Sequence, residues 1–278
     1  MGRQAFLTIT LVLTVYFMMT LTSPRNPLLK EVRKTILRGT LTDDGFCVAE
    51  SFHLLEEALR SDCEISTVFA AESVRTAVES HVRGLKKIRV AVLADDLFRD
   101  ISTTESSQGV MALVRPPRWT VEQLFRGQSL TVILDGLQDP GNVGAILRAA
   151  EAFGATGVAF LKGTVSPYNP KCLRGSAGSI FRVPLVAAMD EQLLLAAIEQ
   201  RKIEMFALMP KGSRELGECN LSRKCAIITG SEGRGVSDRL RARAVPVFIR
   251  TVGVESLNAA LATGIALYAA RKQRMVVT

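Results

Sequence analysis

The feature that most constrains this chain is a change of hydrophobic period between residues 129 and 161. Ser129-Leu130-Thr131-Val132-Ile133-Leu134 is apolar and β-branched over the length of one buried strand. Asp135-Gly136 and Asp139-Pro140-Gly141-Asn142 follow, residues that favour turns and helix starts. From Val143 the spacing becomes helical. Ile146, Leu147, Ala150 and Phe153 recur at three and four, and Gly154 stops the run. A second apolar run, Gly157–Leu161, comes at once. The result is a β-loop-α-β unit with its polar residues at the strand-to-helix loop, where open α/β sheets place their ligands. Taken alone, it defines an α/β enzyme and nothing narrower.

With 278 residues there is room for two ordinary domains. Hydrophobic residues make up 47% and charged residues 22%, so the chain can bury real cores. The net charge of +8 agrees with a nucleic-acid partner without demonstrating one. Cys47, Cys63, Cys172, Cys219 and Cys225 form no CxxC pair, and with only two histidines no zinc-type spacing can be assembled. Reduced thiols in a cytosolic protein, without a metal, are the expectation.

Ala5–Leu21 carries no charge. Ser23-Pro24-Arg25 offers no small-x-small site for signal cleavage. Two readings stand: a start codon set too early, the true start lying near Met18 or Met19, or a membrane anchor. In both, residues 1–22 are a hydrophobic tail outside the fold. Residues 23–115 alternate in pattern: helix over 27–38, strand near 45–49, helix over 51–61, strand over 67–70, helix over 74–83, strand within 88–93, short helix over 97–101 and strand over 109–114. That alternation predicts a small α/β/α sandwich. The paired prolines of Arg115-Pro116-Pro117-Arg118-Trp119 mark a boundary. Residues 116–128 are expected as a linker and 129–278 as the second domain.

Two further stretches resolve what the second domain does. Ala226–Ile228, a buried strand, runs into Thr229-Gly230-Ser231-Glu232-Gly233-Arg234-Gly235. Val247–Ile249, another, runs through Gly253 into Glu255-Ser256-Leu257-Asn258 and a helical pattern over 259–270. Together with Asn142 and Arg148, these resemble the three ordered motifs of the SpoU/TrmH family, in the SPOUT class of RNA methyltransferases, over roughly residues 129–272. Residues 23–115, with Ser23-Pro24-Arg25-Asn26-Pro27 at their start, more loosely resemble the L30e-like domain that holds RNA in many of these relatives.

The resemblance implies a SPOUT α/β domain with a deep trefoil knot over about 225–270, a homodimer, and no metal. Its reaction is methyl transfer from S-adenosyl-L-methionine to a ribose 2′-hydroxyl of RNA, with 23S rRNA the leading substrate and tRNA the alternative. A chain that kept the fold as a non-catalytic RNA-binding protein is the reading of a different class. Cytoplasmic location without membrane contact follows. By position in the motifs, Asn142, Arg148, Glu232, Ser256 and Asn258 are the candidate catalytic residues. Leu208, Gly230, Ile249 and Leu257 are expected at the cofactor through main-chain atoms. Lys171 and Arg174, in the family's Arg-x-Ser-x-Gly stretch, are the candidates for RNA phosphates. A guanidinium, with a pKa above about 12, is a poor base, which favours Arg148 as a group that orients the 2′-oxygen or acts through a phosphate. Ile249-Arg250-Thr251-Val252-Gly253 stands where many relatives carry Ile-Pro-Met before the glycine.

Overall fold

Both halves of the chain bury strands on two faces, and period-two alternation sorts each strand's side chains between them. The computed structural model describes residues 17–83, 85 and 88–275. The first half runs β1 (Phe17–Leu21), α1 (Pro27–Arg38), β2 (Cys47–Glu50), α2 (Phe52–Arg60), β3 (Glu64–Ala71), α3 (Arg75–Val82), β4 (Arg89–Leu93), α4 (Asp95–Arg99) and β5 (Val110–Arg115). Its sheet has the order β1-β4-β3-β5-β2, parallel across β1, β4 and β3 and antiparallel where β5 meets β3 and β2. Val48, Phe69, Ala91 and Met111 face α1 and α4, whereas Ala49, Val68, Val90 and Ala112 face α2 and α3. This is the expected three-layer sandwich.

One expectation is corrected here. Phe17–Leu21 is not outside the fold: it pairs in parallel with Arg89–Leu93 as an edge strand, and Leu21 is buried. The apolar character of that stretch serves a sheet edge. Residues 1–16 lie outside the described residues. Among the described residues, no helix is long and apolar enough to cross a membrane.

The stretch 116–128 is not a plain linker either. Its second part forms α5 (Val121–Leu124), opened by a reciprocal capping box between Thr120 and Gln123. Leu124 and Phe125 are buried under the second sheet. Trp119 packs on the core that both halves share.

The second half continues with β6 (Leu130–Asp135), α6 (Pro140–Ala152), β7 (Gly157–Leu161), α7 (Pro170–Ser176), β8 (Leu185–Met189), α8 (Glu191–Arg201), β9 (Glu204–Leu208), β10 (Arg214–Glu215), β11 (Cys225–Gly230), α9 (Asp238–Arg241), β12 (Val245–Phe248) and α10 (Ala259–Met275). The seven strands are all parallel, in the order β10-β12-β9-β11-β6-β7-β8. Val132, Phe160, Phe206 and Ile227 meet α6, α7 and α10 on one face, and Ile133, Ala159, Ala207 and Ile228 meet α5, α8 and α9 on the other. The chain steps outward from β6 to β8, then crosses to the far side of β6. The sheet therefore has a switch point beside β6, and ligand crevices of open α/β sheets lie at such points, beyond the strands' carboxyl ends.

Candidate active site

Register brings the motifs together. β6 and β11 are neighbours with Gly230 opposite Asp135, so the loops that leave these two strands start side by side. The first loop ends at Asp139, which caps α6: its Oδ1 accepts from the Asn142 amide at 2.8 Å, and Pro140 takes the first helical position. That cap explains why α6 starts at Pro140, earlier than the apolar spacing from Val143 suggests. The Asn142 amide bond holds the Asp139 carboxyl below the usual carboxylate range, aided by the Lys171 charge.

The second loop folds back on itself, with Ser231 and Gly235 exchanging main-chain hydrogen bonds at 3.1 and 2.8 Å. Gly230 is required there, since a Cβ would stand 2.1 Å from the carbonyl carbon of Gly235. This turn presents Glu232. The third motif opens α10, where Asn258 Oδ1 accepts from the amides of Ala260 (2.9 Å) and Leu261 (3.2 Å). Asn258 is thus the cap of this helix.

These three pieces close a chain of side-chain hydrogen bonds. Asn258 Nδ2 donates to Asn142 Oδ1 at 2.9 Å, and Asn142 Nδ2 donates to Glu232 Oε1 at 2.9 Å. Both amide side chains are fixed at each end. Beside this chain lies a cleft of about 550 Å³ at the carboxyl ends of β9, β11 and β12. Leu208, Gly230, Ile249 and Leu257, the four expected cofactor positions, all line it, as do Glu232, Ser256 and Asn258. Met209, Pro210, Thr251 and Glu255 also form its wall. No residue pattern in the sequence sets these last four apart; only the fold brings them to the cleft. Below it, the Thr229 and Thr263 hydroxyls share a buried hydrogen bond of 2.7 Å that ties β11 to α10.

Three expected site residues lie elsewhere. Arg148 is exposed on α6 and is not part of the cleft wall; among the described residues it has no hydrogen bond or ion pair. Lys171 stands near the mouth, its Nζ 3.5 Å from Asp139 Oδ2. Arg174 is turned away: its Nη1 donates to Thr103 Oγ1 and lies 4.0 Å from the buried Glu50 carboxylate, both in the first half of the chain. Arg174, expected at an RNA phosphate, thus has its Nη1 engaged within the protein, while the side chain keeps about a third of its surface exposed.

A small-molecule site of about 300–1,000 Å³ is the usual range, and the cleft falls within it. Apolar walls at Leu208, Ile249 and Leu257, with exposed main chain along the glycine loop, suit a ligand joining a flat heterocycle to a polar amino-acid end. Among the described residues, no group of His, Cys, Asp or Glu is arranged to hold a metal ion. Burial pushes the Cys47 and Cys172 thiols up to about 12, so neither is a ready nucleophile.

Residues 129–268 match the SpoU rRNA Methylase family, and residues 26–112 match the MRM3-like substrate binding domain. The chain is 30% identical over 275 residues to the uncharacterized tRNA/rRNA methyltransferase slr1673 of Synechocystis, covering 91% of this chain and 94% of that one. It is 28% identical over 251 residues to the 23S rRNA (guanosine(2553)-2′-O)-methyltransferase RlmP of Bacillus subtilis, covering 88% and 96%. Among solved structures, the AdoMet-bound rRNA methyltransferase of Sinorhizobium meliloti superposes with a TM-score of 0.78 at 25% identity, covering 92% and 98%. This chain belongs to the SpoU methylase family.

Proposed function

We propose that this protein transfers a methyl group from S-adenosyl-L-methionine to a ribose 2′-hydroxyl of RNA, with 23S rRNA as the substrate. The observation that carries the reading is the fixed chain Glu232–Asn142–Asn258 at the mouth of a cleft lined by Leu208, Gly230, Ile249 and Leu257. Relatives named as 23S rRNA 2′-O-methyltransferases support the substrate.

When bound, S-adenosyl-L-methionine supplies an activated methyl group on a sulfonium. The protein's own part is to hold a weak nucleophile in line and to ease its proton away. Leu208, Gly230, Ile249 and Leu257, which line the cleft, would hold the cofactor through their main-chain atoms. Asn142, locked by Glu232 and Asn258, presents its amide at one angle, so the 2′-hydroxyl meets a preorganised polar group. Glu232 keeps Oε2 free to accept a proton or hydrogen bond, and Ser256 lies on the same wall. Arg148, unpaired, is available to the 2′-oxygen or to a neighbouring phosphate, and Lys171 to a phosphate.

Residues 23–115 serve in this reading as an L30e-like substrate-binding domain, and 129–278 as the methyltransferase domain. A trefoil knot is supported by the path of 209–223: β12 lies between β9 and β10, while Gln273 and Arg274 bond to main chain of Cys219, Leu221 and Arg223. A homodimer is supported by exposed apolar residues, Leu261 and Tyr268 on α10 and Val252 and Val254 on the loop before it. An RNA substrate of this kind implies action in the cytoplasm.

The test is transfer of tritiated methyl into unmodified 23S RNA and bulk tRNA side by side, followed by alkaline digestion. Label in alkali-resistant dinucleotides from 23S RNA is expected. Label in tRNA alone would replace the substrate, and no label in either, despite cofactor binding, would replace catalysis by RNA binding.

A further inference from the structure

The stretch Arg174–Arg182 belongs neither to the cleft nor to the hydrogen-bonded chain at its mouth, yet both its arginines are bonded to the first half of the chain. The Arg182 guanidinium forks. Nη1 donates to Glu57 Oε2 at 2.6 Å and Ser61 Oγ at 3.2 Å, at the end of α2 in the first half of the chain. Nη2 donates to Glu151 Oε2 at 3.1 Å, and Nε to Glu151 Oε1, on α6. Gly178, at φ +88°, lies flat on the same glutamate: a Cβ there would stand 2.5 Å from Glu57 Cβ. Arg174, from α7, reaches Thr103 and the Glu50 carboxylate. That carboxylate also accepts from Ser102 (2.5 Å), the Thr103 amide (2.9 Å) and Ser107 (2.9 Å).

α7 passes this docking on to α6 without slack. A Cβ on Gly144 would stand 2.7 Å from the Cys172 carbonyl oxygen and 2.8 Å from Gly175 Cα, so the two helices cross backbone to backbone. Gly144 sits between Asn142 and Arg148 on α6.

We propose that Arg182 and Arg174 are positioning residues of the methyl transfer: they clamp the substrate-binding half onto the helix that carries Asn142 and Arg148. RNA gripped by one half then reaches the other at one distance and angle. The proposal rests on the RNA-methyltransferase reading. Its physical basis is that charge-assisted forked bonds are directional, and that a misplacement of about 1 Å at a reacting centre costs on the order of 10²-fold in rate.

The experiment uses the full chain, unmodified 23S RNA and S-adenosyl-L-methionine, reading kcat, KM for RNA and cofactor Kd for each variant. Arg182→Ala is expected to lower kcat by about 10- to 100-fold. Its cofactor Kd should stay within about twofold, since no clamp residue lines the cleft. Glu57→Gln removes the charge from the first-half arm of the fork, together with the Glu57–Arg60 ion pair, and leaves Arg182 on Glu151 and Ser61; it should lower kcat severalfold, and add nothing to that loss in the Arg182→Ala background. A wild-type protein that labels no RNA would defeat the functional reading itself. With an active wild type, unchanged kcat in either variant overturns the clamp. So does a fall in cofactor affinity that tracks kcat, which marks a merely structural role. Should Arg182→Ala not fold, Glu57→Gln alone decides.

Discussion

Two polar, glycine-containing regions flank α6, and they are built to opposite rules. Among the described residues, Glu232 on the cleft wall has one side-chain partner and Ser256 none, and Arg148, exposed on α6 away from the wall, has none. In the clamp, Arg182 is bonded to two carboxylates and a hydroxyl, and Glu50 to a ring of hydroxyls. The carboxyls record the difference. Burial alone would raise Glu50, but the bonds from Ser102, Thr103 and Ser107 outweigh it and hold it low. Burial likewise opposes, and Arg182 overcomes, the shift of Glu57; Glu151 is held low chiefly by its bond to Arg182. The clamp's charged groups are paired within the protein, whereas Glu232, Ser256 and Arg148 keep bonding capacity in reserve. Net charge or residue type does not separate the two.

The strongest way to break this contrast is Arg148→Ala. It should lower turnover by about 10²–10³-fold, the usual cost of a lost polar group at a reacting centre, with an unchanged melting temperature and cofactor Kd. Near-normal turnover would remove Arg148 from the site. Asn142→Ala cuts the chain between Glu232 and Asn258 and should cost about 10²-fold in kcat, again at little cost in stability. On the saturated side the sign of the readout reverses. Arg274, which donates to the carbonyls of Gln128, Ser129, Leu221 and Arg223, should on truncation to Ala cost about 1–2 kcal/mol, chiefly by leaving the part-buried Ser129 and Leu221 carbonyls without this donor, measured by urea denaturation.

Glu50→Gln sharpens the comparison through pH. Glu50, Glu57 and Glu151 all have folded-state pKa values below their ordinary value, so each adds stability above that value and loses it as pH falls through the lowered one. Thermal stability should therefore decline below about pH 4. Glu50→Gln should lower stability at pH 7 and make that acid decline shallower; an acid limb as steep as wild type would discount the carboxylate. The smallest effect belongs to Lys171→Ala. Its ion pair with Asp139 is long and exposed, worth under about 1 kcal/mol, so stability should hold while KM for RNA rises severalfold if Lys171 meets phosphate.

Much of the fold was legible because the local signals agreed. α1 falls on residues 27–38, where its apolar spacing predicts it, and the strands around β3, β5, β6 and β7 follow apolar runs. Phe17–Leu21 was not legible: an apolar, uncharged stretch near a terminus reads the same whether it meets lipid, a signal receptor or a sheet edge. Leu124 and Phe125 were hidden behind Pro116-Pro117, because two prolines announce a boundary but not how soon the next helix starts.

Sequence alone determined the α/β class, the three ordered motifs and hence the family, since strand-loop-helix periodicity and motif order are properties of the chain taken locally. It also pointed to Leu208, Gly230, Ile249 and Leu257, which share one cleft. Only the tertiary structure decided the use of the charges. Asn142 and Glu232 meet because β6 and β11 are neighbours in register, and Arg174 turns from the cleft because Glu50 and Thr103 lie across the interface. Pairing between residues far apart in the chain depends on strand order and helix crossing, and no local pattern encodes those.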